Sequence, residues 1–165
     1  MSETQPQKEI IYAFIDSQNL NLSIRDQGWR LDFAKFRRYL SDRFKIKKAY
    51  LFLGFIKENK KLYHFLRGAN YSLIFKPTLR ETKNRTIKGN IDAELVLHSM
   101  VEYANYDKSI IVTGDGDFHC LIKYLKNNNK LFGLIIPNRY KYSALLREFN
   151  KQIIFLNNTK NQLSK

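Results

Sequence analysis

The chain has 165 residues, 44% of them hydrophobic, 14% aromatic and 27% charged, with only seven glycines and three prolines. That composition excludes disorder, collagen-like repeats and low complexity over most of the length, and the length suits one domain. Lys plus Arg totals 29 against 15 Asp plus Glu, a formal charge of +14 and a pI near 9.9. Such an excess favours a polyanionic partner, because each phosphate neutralised by a cation releases condensed counterions.

The longest apolar run, Ile10–Ile15, is far shorter than the roughly 20 residues a membrane span needs. No basic, apolar leader opens the chain, and the single cysteine, Cys120, cannot form an internal disulfide or a cysteine-rich zinc site. The expectation is a soluble cytoplasmic protein without membrane contact. Residues 1–9 form a polar leader and residues 157–165 a polar tail, both expected to fray; residues 10–156 form the domain.

In chain order, strand-like runs fall at Ile10–Ile15, Ala49–Phe55, Ser72–Lys76, Ser109–Thr113, Leu131–Ile136 and Ile153–Leu156. They are almost continuously apolar, which suits strands buried on both faces. Helical periods lie between them. Leu31, Phe33, Phe36 and Leu40 make one stripe, and Leu62, Phe65 and Leu66 another within Asn59–Ala69. Ile91, Leu95, Met100 and Val101 mark Ile91–Ala104; Phe118, Leu121, Ile122 and Leu125 mark Phe118–Leu125. Strand and helix in alternation imply right-handed βαβ units and an α/β sandwich on a mostly parallel, Rossmann-like sheet.

Ligands of an open parallel sheet bind outside the carboxyl ends of its strands. Asp16-Ser17-Gln18-Asn19 follows the first run, and Thr113-Gly114-Asp115-Gly116-Asp117 the fourth. Asp92 stands in the first turn of a helix entered from the segment after the third run. Four of the chain's eight aspartates therefore gather at one sheet edge. Each alone reads as a helix cap or turn residue. Together they need a compensating cation, and Mg²⁺ takes carboxylates with waters and phosphate oxygens. Acids holding metal and a basic rim holding the strand are what a metal-dependent nuclease requires.

Three segments carry a family resemblance: Phe14-Ile15-Asp16-Ser17-Gln18-Asn19-Leu20, Lys88-Gly89-Asn90-Ile91-Asp92, and Val112-Thr113-Gly114-Asp115-Gly116-Asp117-Phe118. They resemble the motifs of NYN domains, LabA-like members of the PIN-like nuclease superfamily, over roughly residues 10 to 156. The resemblance implies a PIN-like three-layer α/β/α sandwich and Mg²⁺- or Mn²⁺-dependent ribonuclease activity. Position by position, it makes Asp16, Asp92, Asp115 and Asp117 the acidic, metal-holding site. Asn19 is the motif's asparagine, and Thr113 stands where members carry Ser or Thr; both would position water or phosphate. Ser17 replaces a common Gly. His98 replaces a further Asp found in many members. As a metal ligand His98 would favour Mn²⁺; as a packed helix histidine, the reading the sequence favours, it marks a weakened or lost metal position.

Lys76, Arg80, Lys83, Arg85 and Lys88 lead toward the Asp92 helix, and Arg139, Tyr140 and Lys141 follow the fifth run. Both groups are expected to bind the RNA backbone, probing single-stranded or loop regions. The basic run Arg37–Lys48 reads as solvated surface, Trp29 as a base platform or a core residue, and Cys120 as a small buried hydrophobe. A noncatalytic RNA-binding module is the alternative, and a phosphohydrolase with Asp16 as nucleophile is third, since Gln18 stands where such enzymes carry a second Asp. A homodimer or an antitoxin-like partner is compatible with exposed edges, but no residue pattern supports either.

Overall fold

The structure, a computed structural model, describes residues 7–76 and 91–165. Six strands, β1 (Ile11–Asp16), β2 (Ile46–Gly54), β3 (Ser72–Lys76), β4 (Lys108–Val112), β5 (Leu131–Ile136) and β6 (Ile153–Phe155), form one sheet. Every neighbouring pair is parallel, in the order β3-β2-β1-β4-β5-β6. The helices are α1 (Ser17–Arg25), α2 (Phe33–Phe44), α3 (Lys60–Gly68), α4 (Asp92–Val101), α5 (His119–Asn127) and α6 (Lys160–Leu163). None of the described helices is long and apolar enough to cross a membrane.

Alternation along the central strands divides the core into two layers. Ile11, Ala13 and Ile15 of β1 face α1, α2 and α6, joined by Leu51, Ile110 and Val112. Tyr12 and Phe14 face the other way, with Phe52, Ile111 and Leu134, against α4 and α5. A strand can carry apolar side chains at every position only when both faces are covered, so the continuous runs and the three-layer α/β/α sandwich have one cause. The connection from β1 to β2 covers one face and that from β4 to β5 the other. The winding reverses between β1 and β4, which opens a crevice at their carboxyl ends.

Several local expectations change. The segment after β1 is a helix, α1, although it is largely polar: Asp16 caps it by accepting from the Asn19 N–H, and Leu20 and Ile24, one turn apart, bury its inner face. The frayed tail is corrected as well. Leu163 is buried beside α2, Leu31 bridges to Ser164, and the Asp32 N–H donates to the Leu163 carbonyl at 2.8 Å. On α3 the buried pair is Tyr63 and Leu66 while Leu62 and Phe65 are exposed; on α4 Leu95 is buried while Met100 and Val101 are exposed. Each helix packs one flank on the sheet and turns the other to solvent, α3 in the layer of α1 and α2 and α4 in the opposite layer, so a broad apolar stripe is only half covered. Trp29 is buried in the core, which removes it as a base platform, and Cys120 is exposed rather than buried. Arg37 departs from the solvated surface: it is buried and donates to the Asn70 carbonyl at 3.0 Å.

Candidate metal centre and nucleic-acid face

The β1/β4 crevice brings the first and third motifs together. Asp16 ends β1 and is only 4% exposed. Its Oδ1 accepts from the Asn19 N–H at 3.1 Å and its Oδ2 from the Thr113 hydroxyl at 3.0 Å. The Thr113 oxygen in turn accepts from the Asp115 N–H at 3.1 Å. Asn19 Oδ1 accepts from the Gly114 N–H at 2.8 Å, a bond joining residues 95 positions apart. Asp16 therefore serves as a helix cap and as the buried floor of the site at once.

Asp115 caps the single-turn helix Gly116–Phe118 and accepts from the Asp117 N–H at 2.9 Å. Asp92 comes from the first turn of α4, across the crevice. Carboxylate oxygens of Asp92, Asp115 and Asp117 lie within 4.8 Å of one another. An all-oxygen donor set at that spacing fits a hard divalent cation such as Mg²⁺ or Mn²⁺.

The electrostatics show the strain of this arrangement. Burial pushes the Asp16 carboxyl up to about 6, against the bonds from Asn19 and Thr113, with the charges of Asp92 and Asp115 adding to the rise. Burial also raises Asp92, followed by repulsion from Asp115 and Asp117, and Lys76 at the end of β3 opposes the shift. A cation would relieve both groups.

The glycines here answer to close approach. A Cβ on Gly114 would meet Tyr142 Cβ at 3.3 Å, and one on Gly116 would collide with the Ser143 hydroxyl, with Ser143 Cβ at 2.8 Å. The Ser143 N–H donates to the Gly114 carbonyl at 3.0 Å. The loop after β5 is thus seated on the third motif. Sequence spacing offered no signal for Ser143, because its role is set by a contact across the chain.

His98 lies six residues along α4 from Asp92, its ring centroid 5.8 Å from that of Phe52 and outside the carboxylate group. Six residues turn a helix by roughly 600°, so the two side chains leave it in different directions. Tyr140 is 82% exposed, while Tyr142 packs its ring on Phe155. The Arg139 guanidinium also lies over Phe155, and Lys141 pairs with Asp26 at 3.3 Å. Arg80, Lys83, Arg85 and Lys88 lie outside the described residues, as does the start of the polar leader.

No curated protein sequence matches significantly. The chain is similar to the crystal structure of a Vibrio parahaemolyticus protein of unknown function, with a TM-score of 0.78 and 20% identity over 97% of this chain and 99% of that one. At that identity the likeness is one of fold. A fainter likeness, with a TM-score of 0.49 and 11% identity over 93% of this chain and 60% of the other, is to T5 5'-exonuclease with divalent zinc bound. The NYN domain model matches residues 11–157, nearly the whole sandwich and all three acidic motifs, and the chain belongs to the NYN domain family of PIN-like nucleases.

Proposed function

We propose that this protein is a metal-dependent endoribonuclease that hydrolyses phosphodiester bonds in single-stranded or loop RNA. The observation that carries the reading is the convergence of Asp92, Asp115 and Asp117 above the buried Asp16, on a chain with a formal charge of +14. Asp92, Asp115 and Asp117 would hold Mg²⁺ or Mn²⁺, with Asp16 beneath them. When bound, the ion supplies charge neutralisation for the phosphodiester and acidifies water at neutral pH. The chain's own part is positioning. Thr113 ties Asp16 to the Asp115 backbone, and Asn19 fixes Gly114, so the turn bearing two carboxylates is held on both sides. Lys76, Arg139, Tyr140 and Lys141 would take the RNA backbone and an unpaired base.

A noncatalytic RNA-binding module is favoured by one observation, the packing of His98 on Phe52 where many members carry a further Asp. The deciding experiment is incubation of end-labelled, mixed-sequence RNA with Mn²⁺, Mg²⁺ or EDTA, comparing wild type with Asp115→Asn. Cutting that requires metal and disappears in the variant supports the nuclease. Tight, salt-sensitive binding without cutting supports the binding module.

A further inference from the structure

A cleft of about 740 Å³ opens beside the carboxylates, between α1, α3 and the carboxyl end of β2. Ser17 and Ile91, which line it, are each adjacent in sequence to a site aspartate, so the cleft lies beside the candidate metal centre. Phe33, Leu53, Leu62 and Leu66 make its walls apolar. One face of α1 presents Gln18, Asn21 and Arg25 to it, at i, i+3 and i+7, and Arg30 reaches it from the turn before α2.

Arg25 and Arg30 form no ion pair among the described residues, and the side-chain amides of Gln18 and Asn21 make no hydrogen bond there. Apolar walls accept the flat face of a base, and amides offer the paired donors and acceptors that a base edge matches. Guanidinium groups match phosphate in geometry and charge. Arg25 lies about 12 Å along α1 from Ser17, at ~1.5 Å per residue, so a strand crossing the carboxylates would extend toward it.

We propose that this cleft is the subsite for a nucleotide flanking the scissile phosphodiester of single-stranded RNA. The base sits between α1 and α3, Gln18 and Asn21 read its edge, and Arg25 and Arg30 hold the next phosphate. The proposal rests on the nuclease reading above for its orientation and on the cleft for its chemistry.

The test is fluorescence anisotropy of labelled eight-nucleotide A, C and U oligomers in EDTA, over a series of salt concentrations. Arg25→Ala/Arg30→Ala should weaken binding by about tenfold per lost contact and reduce the salt slope by about 0.7, the value for the one phosphate the pair holds. Arg38→Ala/Lys47→Ala, two exposed residues away from the cleft, should leave the slope unchanged. Gln18→Ala/Asn21→Ala should reorder the preference among the three oligomers at an unchanged slope. Equal losses in the two charge pairs, or an unaltered base preference, would overturn the subsite and leave the cleft to a non-nucleic partner. Metal-dependent cleavage by wild type is scored separately. No cleavage together with cleft-dependent binding rejects the nuclease and keeps the subsite; cleavage with cleft-independent binding does the reverse.

Discussion

Thr113 donates its hydroxyl proton to Asp16 Oδ2 at 3.0 Å while accepting from the Asp115 N–H at 3.1 Å, so one buried oxygen links the end of β1 to the turn after β4. The two strands are neighbours, but their carboxyl ends carry like charges that would push the turn outward. The hydroxyl opposes that push by bonding both sides.

Thr113→Val keeps the shape and removes both bonds. With Asp16 only 4% exposed, its Oδ2 would lose a partner that water cannot readily replace. We expect a loss of about 1–3 kcal/mol in chemical denaturation, the usual cost of leaving a buried polar group unsatisfied. Thr113→Ser should recover most of it. Equal stability of the Val and Ser variants would show that the hydroxyl contributes nothing.

Asp16 also sets a pH dependence. Its folded-state pKa is raised from 3.8 to about 6, so the folded protein binds a proton that the unfolded chain releases. The associated stability is full below about pH 4 and is lost as pH rises through about 6. In EDTA, wild type should therefore lose up to about 3 kcal/mol from this group between pH 4 and 7.5. Asp16→Asn resembles the protonated form, so the gap between it and wild type should widen over that window in favour of the variant. A constant gap would contradict the raised pKa.

Metal should reverse the penalty. A cation bound by Asp92, Asp115 and Asp117 stabilises only the folded state, raising stability by about 2.7 kcal/mol at a hundredfold excess over Kd. Thermal denaturation with and without Mn²⁺ reads this directly. Asp115→Asn or Asp117→Asn should shrink the Mn²⁺-dependent rise in Tm, and His98→Ala should leave it close to wild type, since that ring packs on Phe52. A His98→Ala variant that loses the rise would return the histidine to the ligand set.

Much of this architecture is readable in the residues. Runs such as Ile10–Ile15 and Leu131–Ile136 are apolar without alternation because both sheet faces are covered, and that fact alone implies helices on two sides. The gathering of Asp16, Asp92, Asp115 and Asp117 followed from strand ends and parallel topology. What the sequence hides is long-range. The seating of Ser143 on Gly116, and the tail on α2, depend on which segments meet, and local composition carries no trace of that. Trp29 stood open between a base platform and a core residue because it lies in a polar connection, and its burial in the core decides for the second.

The tail supplies the last expectation. Residues 157–165 are polar except for Leu163, and that one side chain is fully buried in the layer containing Phe36 and Leu40. Three backbone or side-chain bonds surround it: Asp32 N–H to the Leu163 carbonyl, Lys165 N–H to the Arg30 carbonyl, and Lys35 Nζ to the Ser164 carbonyl. The segment therefore braces the start of α2 and the turn carrying Arg30. Leu163→Ala should cost about 2–5 kcal/mol, the range for emptying a buried leucine site. Hydrogen exchange should show where that energy acts. Faster exchange at residues 30–36, with β4 and β5 unchanged, would mark the tail as a local brace. Faster exchange across the whole sheet would instead make it part of the cooperative core, and unchanged exchange everywhere would mean that the tail fits the fold without supporting it.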